Sequence, residues 1–216
     1  MAAILTWPNL VTAVRLILFF LVVMFAYGTS MWTRLFAAII IILVIIGDWL
    51  DGHLARKMKQ STPLGSVFDI AADRIIETVL WIVLADLNLI PVWIPIVVIT
   101  RGILTDSLRN YTLRFGYSGF GKKTMMQTPI GRFITGSPFM RTSYGLLKAF
   151  TFGWLLLFAV LDEIIAQWPL FPPEWIVTGL TIGYWAAVLS AIMCIVRGIP
   201  VIIEGVILIQ QKENEN

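Results

Sequence analysis

The chain is a series of long apolar runs separated by short polar stretches. The runs predict helices over about 8–27, 31–59, 64–84, 91–115, 139–165 and 174–196. The last of these, about 174–196, is long enough to cross a hydrocarbon core of about 30 Å. A shorter apolar stretch, 201–209, reads as interfacial or as a tilted continuation past Arg197-Gly-Ile-Pro200, which marks an end or a kink of the last helix. Gln210 to Asn216 is a polar tail. The expected fold class is an all-α integral membrane protein with six transmembrane helices, forming one membrane domain over residues 1–216.

Composition supports this. Of 216 residues, 58% are hydrophobic, against about 45–50% in soluble domains, and the mean hydropathy is +0.86. The net charge of +3 is small, with Lys and Arg gathered near the polar stretches, which suits a membrane protein and not a nucleic-acid binder. Cys194 is the only cysteine, so no intrachain disulfide forms and no thiolate metal site is expected. The first apolar run lacks a charged leader and a small-residue cleavage site, so no cleaved signal peptide is expected.

Charge placement predicts orientation. The second connection carries Arg56, Lys57 and Lys59, and the fourth carries Arg114, Lys122, Lys123, Arg132 and Arg141. The opposite side offers only Arg34. The positive-inside rule puts the basic side, and with six crossings both termini, in the cytoplasm. The long polar stretch 116–140 reads as a flexible basic loop, with a lid or headgroup contact as the alternative.

Four aspartates break the apolar pattern. Asp48 and Asp51 are three apart and share a helix face, with Gly52 leaving room for a ligand beside them. Asp69 and Asp73 are four apart on the next helix, and Gly65 lies four before Asp69. Ionised carboxylates near a bilayer are costly unless paired or bound to a cation. Four carboxylates without a nearby cysteine suit a hard ion such as Mg²⁺, Mn²⁺ or Ca²⁺. Four negative charges suit two such ions, the arrangement that clamps a phosphoryl group. Arg56 stands one short turn beyond, placed for a phosphate oxygen. His53, the lone histidine, reads as an exposed helix position and not as a base. Arg15, in the first helix, is too polar for a lipid-facing site; it either snorkels or meets the acidic site or a phosphate.

The pattern Asp48-x2-Asp51-Gly52-x2-Ala55-Arg56-x8-Gly65-x3-Asp69-x3-Asp73 resembles, with no departure over its eight positions, the signature of CDP-alcohol phosphatidyltransferases. Pro8-Asn9-Leu10-Val11-Thr12 followed by Arg15 is similar to the start of many members. The resemblance implies a metal-dependent enzyme of the inner membrane, with its site facing the cytoplasm. It would take CDP-diacylglycerol, transfer the phosphatidyl group to an alcohol and release CMP. It implies two Mg²⁺ or Mn²⁺ ions on Asp48, Asp51, Asp69 and Asp73, with Asp73 also the general base. Gly52, Ala55, Arg56 and Gly65 would bind the donor, and a homodimer would be the assembly.

The acceptor is less directly written. Arg101 and Arg109 lie eight apart in the fourth helix, and Arg141-Thr142 opens the fifth. This resembles the phosphatidylglycerophosphate synthases within the family, where such cations would hold the phosphate of glycerol 3-phosphate. Gly102 and Phe139 depart from that subfamily's pattern. Relatives using inositol phosphate, serine or phosphatidylglycerol are the alternatives, and three arginines favour a phosphorylated acceptor. Asp106 is expected to neutralise one arginine, and Arg74 and Glu77 to pair locally. An ion transporter is the rival of another class. It would call for broken helices at the midplane and an inverted repeat, and the sequence has no repeat.

Overall fold

The structure is a computed structural model that describes residues 7–28, 30–41, 63–117, 124–168 and 172–214. Among these residues every regular element is a helix, with no strand. The helices are α1 (Trp7–Ala26), α2 (Met31–Ile41), α3 (Pro63–Asp86), α4 (Trp93–Leu113), the short turn α5 (Pro129–Gly131), α6 (Pro138–Gln167) and α7 (Pro173–Asn214). A five-residue π-helical segment, Arg132–Gly136, joins α5 to α6. The six apolar runs thus each yield a helix at about the expected place, with the second described only to Ile41.

Two elements resolve or depart from expectation. Of the two readings of Arg197-Gly-Ile-Pro200, an end or a kink, the structure excludes the end; α7 runs for 42 residues with Pro200 inside it. At 1.5 Å per residue this is roughly 63 Å, about twice a bilayer's hydrocarbon core. The apolar run 201–209 is therefore a continuation of the helix and not a separate interfacial piece. The second difference is the long polar stretch. Its residues 124–137 are not a flexible loop but a bonded structure, described with the site below.

By length and apolarity, two stretches can cross a membrane, Pro129–Ala166 and Pro173–Asn214, while Leu10–Ala26 and Met31–Ile41 are shorter apolar helices. The outward faces are apolar too. On α1, Leu10, Val14, Ile17, Leu21 and Met24 are all exposed, Met24 at 71%. A continuous apolar surface of this kind calls for an apolar partner or solvent.

The chain forms two compact units. The first comprises residues 1–89 and 152–183; the second comprises 90–151 and 184–216. In the first unit, α1 packs on α3. The core includes Phe19, Val22, Ala72, Leu80, Trp81, Leu84 and Leu155. The Trp81 and Phe152 rings meet edge to face, 4.8 Å between centroids, a favoured aromatic geometry. Gly179 and Gly183 let the start of α7 approach α6: a Cβ at either would collide with Phe158 or Leu155. Trp154 Nε1 donates across this approach to the Gly179 carbonyl at 2.7 Å.

One end of this unit is held by polar contacts. Arg34, near the start of α2, forms an ion pair with Glu163, near the end of α6. Its Nε donates to the Gly28 carbonyl at 2.8 Å. The Asp86 carboxylate, at the end of α3, accepts a hydrogen bond from the hydroxyl of Tyr27, just past α1. The ends of α1, α3 and α6 and the beginning of α2 thus meet, as up-and-down helices joined by short turns require.

In the second unit Ile94, Val98, Ala191 and Cys194 are buried, and Met125, Met126, Val201 and Leu208 form a cluster flanked by Tyr117. The cysteine is an apolar core residue, as its surroundings in the sequence imply.

Candidate active site

The first unit holds the acidic face. Asp69 and Asp73 lie in the second and third turns of α3, one turn apart and on one side. The Arg15 guanidinium reaches them from α1. Its Nη2 donates to Asp73 Oδ1 at 2.6 Å and lies 3.6 Å from Asp69 Oδ1. The Arg15 side chain is 9% exposed, whereas those of Asp69 and Asp73 are 55% and 48% exposed. Arg15 therefore meets the acidic site and does not snorkel away. The asymmetry has a physical reading: the cation is buried in the protein, and the two carboxylates keep open surface on which to receive a ligand. Thr12 is buried one turn before Arg15 on the same helix.

Hard oxygen donors one turn apart, with half their surface open, fit a divalent ion of the Mg²⁺ or Mn²⁺ kind. Among the described residues no group of three metal-binding side chains occurs. Asp48, Asp51, Gly52, His53, Ala55 and Arg56 lie outside the described residues, so Asp69 and Asp73 carry the test of fit. Gly65 sits one turn before Asp69 in α3. Arg74 and Glu77 pair locally at 3.7 Å, as expected.

The second unit holds a cationic group. Arg109 pairs with Asp106 at 3.8 Å, the neutralisation expected from their spacing. Arg101 packs against α7 where Gly198 leaves room; a Cβ there would stand 2.7 Å from Arg101 Cγ. Arg101 and Arg141 both lie close enough to Arg197 to repel its charge. Arg197 is buried. It donates through Nη1 to the Ile134 carbonyl at 3.2 Å and through Nη2 to the Thr135 carbonyl at 3.4 Å. It lies over the Tyr144 ring, 5.5 Å from the centroid, and Lys148 Nζ lies 4.6 Å from the same centroid. Its Nε is buried with no hydrogen-bond partner among the described residues, and so is that of Arg101. Of the three arginines singled out for an acceptor, Arg101 and Arg141 each lie within electrostatic range of Arg197, and Arg109 pairs with Asp106.

Arg197 is a cation that the sequence reading did not place at a site, because with the Gly and Pro after it, it read as an end or a kink of the helix. The available signal was an arginine with apolar residues on both sides, Ile195-Val196 and Ile199, which a membrane helix does not carry without a reason.

The segment that Arg197 touches is anchored a second time. Glu204, buried two turns further along α7, accepts the Thr128 hydroxyl at 2.6 Å and the Thr128 N–H at 3.1 Å. It also accepts the Gln127 N–H. Gly131 passes so close that any Cβ would strike this carboxylate. Thr128 also caps the short α5, accepting the Gly131 N–H at 3.0 Å. Arg132 Nε closes the turn on the Met126 carbonyl at 3.0 Å.

The family model for CDP-alcohol phosphatidyltransferase matches residues 5–192. A CDP-diacylglycerol–glycerol-3-phosphate 3-phosphatidyltransferase of Pseudomonas fluorescens is 30% identical over 178 residues, covering 75% of this chain and 90% of its own. The protein of the same name in Bacillus subtilis (strain 168) is 28% identical over 188 residues, 78% of this chain and 94% of its own. That of Wigglesworthia glossinidia brevipalpis is 30% identical over 152 residues, 68% and 76% respectively. The unbroken aspartate motif, two of whose acids stand on one face of α3 beside a buried arginine, and a family match over most of the length place this chain in the CDP-alcohol phosphatidyltransferase family.

Proposed function

We propose that this chain transfers the phosphatidyl group of CDP-diacylglycerol to glycerol 3-phosphate and releases CMP, as one catalytic domain over residues 1–216. The observation that carries the reading is the pair of half-open carboxylates on α3, Asp69 and Asp73, faced by the buried Arg15. The names of the relatives support the donor and the acceptor.

Asp48, Asp51, Asp69 and Asp73 would hold two divalent ions, Mg²⁺ or Mn²⁺. Such ions, when bound, neutralise the donor diphosphate and ease departure of CMP. Asp73 takes the proton of the acceptor hydroxyl, since a base must stand within hydrogen-bond reach of the attacking oxygen. Gly52, Ala55 and Gly65 give the nucleotide close approach to backbone, and Arg56 meets a phosphate oxygen. Arg101 and Arg141 hold the acceptor phosphate, with Arg197 beside them and Arg109 held by Asp106. A dianion is a fitting counter-ion for several guanidinium groups.

The enzyme sits in the inner membrane as a homodimer, with six crossings and its site toward the cytoplasm, where the basic connections lie. The apolar outer faces of α1, α6 and α7 support the embedding. The test is purified protein given CDP-diacylglycerol and a panel of alcohols. Phosphatidylglycerophosphate is the expected lipid product, and formation of a different lipid in preference to it rejects the acceptor assignment.

A further inference from the structure

Arg15 has an unusual position for a cation beside a metal-binding face. It is enclosed by the protein, while the carboxylates it touches remain open. Its Nη2 is 2.6 Å from one carboxylate oxygen and 3.6 Å from another, so it already supplies part of the positive charge that those acids require. A divalent ion on the same oxygens meets a fixed like charge a few ångströms away, and burial weakens the screening between them. The guanidinium is a buried charge, only 9% exposed, held against α3 by its bond to Asp73.

We propose that Arg15 is the resident counter-ion of the Asp69–Asp73 pair, weakening divalent-metal binding until the donor diphosphate brings its own negative charge. Metal and donor then bind with positive linkage: each is held better when the other is present, and by the same factor in both directions. Arg15 is thus a positioning residue for the two carboxylates and acts on the metal through them. The inference rests on the reading of Asp69 and Asp73 as metal-holding residues. A purely structural Arg15 makes the opposite forecast, because loss of the guanidinium would let the carboxylates drift and metal binding would weaken.

The experiment measures Mn²⁺ affinity of the full-length protein in detergent by electron paramagnetic resonance, with and without CDP-diacylglycerol. In the wild type the donor tightens Mn²⁺ binding. In Arg15→Met, Mn²⁺ without donor binds roughly tenfold tighter, the scale of removing one nearby like charge at a partly wet site, and the effect of the donor shrinks. Arg15→Lys keeps the charge and stays near the wild type. Arg15→Gln, which retains a donor for Asp73, serves the same comparison where the methionine variant fails to fold. Equal or weaker Mn²⁺ binding in the neutral variants overturns the proposal while leaving the metal reading intact. A wild type that binds no Mn²⁺, with or without donor, overturns the metal reading and this proposal together.

Discussion

The Glu204 carboxylate accepts both the hydroxyl of Thr128, at 2.6 Å, and its backbone N–H, at 3.1 Å. These two residues join the connection after α4 to the distal part of α7, and Glu204 is buried where they meet. A buried acceptor removed from its donors leaves them without partners, at a cost of about 1–3 kcal/mol. Glu204→Ala is therefore expected to lower the melting temperature in detergent and to raise KM for the acceptor more than for the donor. Glu204→Gln keeps an acceptor oxygen and should recover much of the stability. Thermal unfolding with separate donor and acceptor titrations checks both effects.

Removal of Arg197 is expected to act on one substrate. Arg197→Ala should raise KM for glycerol 3-phosphate at least tenfold, the scale of a lost charge-assisted hydrogen bond, and leave KM for CDP-diacylglycerol within about twofold. Because Arg197 also binds the Ile134 and Thr135 carbonyls, Arg197→Lys should fold better yet restore little activity, since an ammonium group lacks the planar fork. Steady-state kinetics with both substrates varied separates these outcomes.

Asp73→Asn should abolish lipid product while sparing much of the donor binding. The amide can still accept from Arg15, but it cannot take a proton from an alcohol. Radiolabelled CMP release and CDP-diacylglycerol binding are the two measurements, and release at the wild-type rate would reject Asp73 as the base. Chelation with EDTA should silence the wild type, and added Mg²⁺ or Mn²⁺ should restore it.

Gly179→Ala is expected to destabilise the first unit. The added methyl group collides with the Phe158 ring, which is stacked on Trp154 with centroids 4.6 Å apart. Overpacking of this kind costs about 1–3 kcal/mol. Gly145→Ala is the control, since nothing lies within 4 Å of a Cβ there; it should be neutral or slightly stabilising, as alanine favours helix by about 1 kcal/mol. Melting curves of both variants, recorded together, give the comparison.

Much of this fold was legible because membrane helices announce themselves by long apolar runs. The starts of α3, α4, α6 and α7 all fall within two residues of the expected positions. One bound stayed open where local chemistry competed with the pattern. Arg197-Gly-Ile-Pro200 carries signals of a helix end or a kink, and packing of Val201 and Leu208 in the core and the bonds of Glu204 carry α7 onward. Proline and glycine signals are local, and tertiary contacts override them. The order of residues 124–137 was illegible for a related reason: its bonding partner, Glu204, is more than seventy positions away in the sequence. In the acidic face, spacing was enough to put Asp69 and Asp73 on one side of α3, because helical periodicity fixes that. The direction of Arg15 depended on how α1 packs on α3, so the sequence left two readings open and the structure supports one.

Arg197 and Glu204 stand seven residues apart, close to two whole turns of α7, and grip the two ends of one short segment with opposite charges. The interval therefore works as a gauge. Inserting one residue between them would swing one grip by about 100° around the rod relative to the other. A relative that keeps both grips must therefore hold this spacing to a whole number of turns.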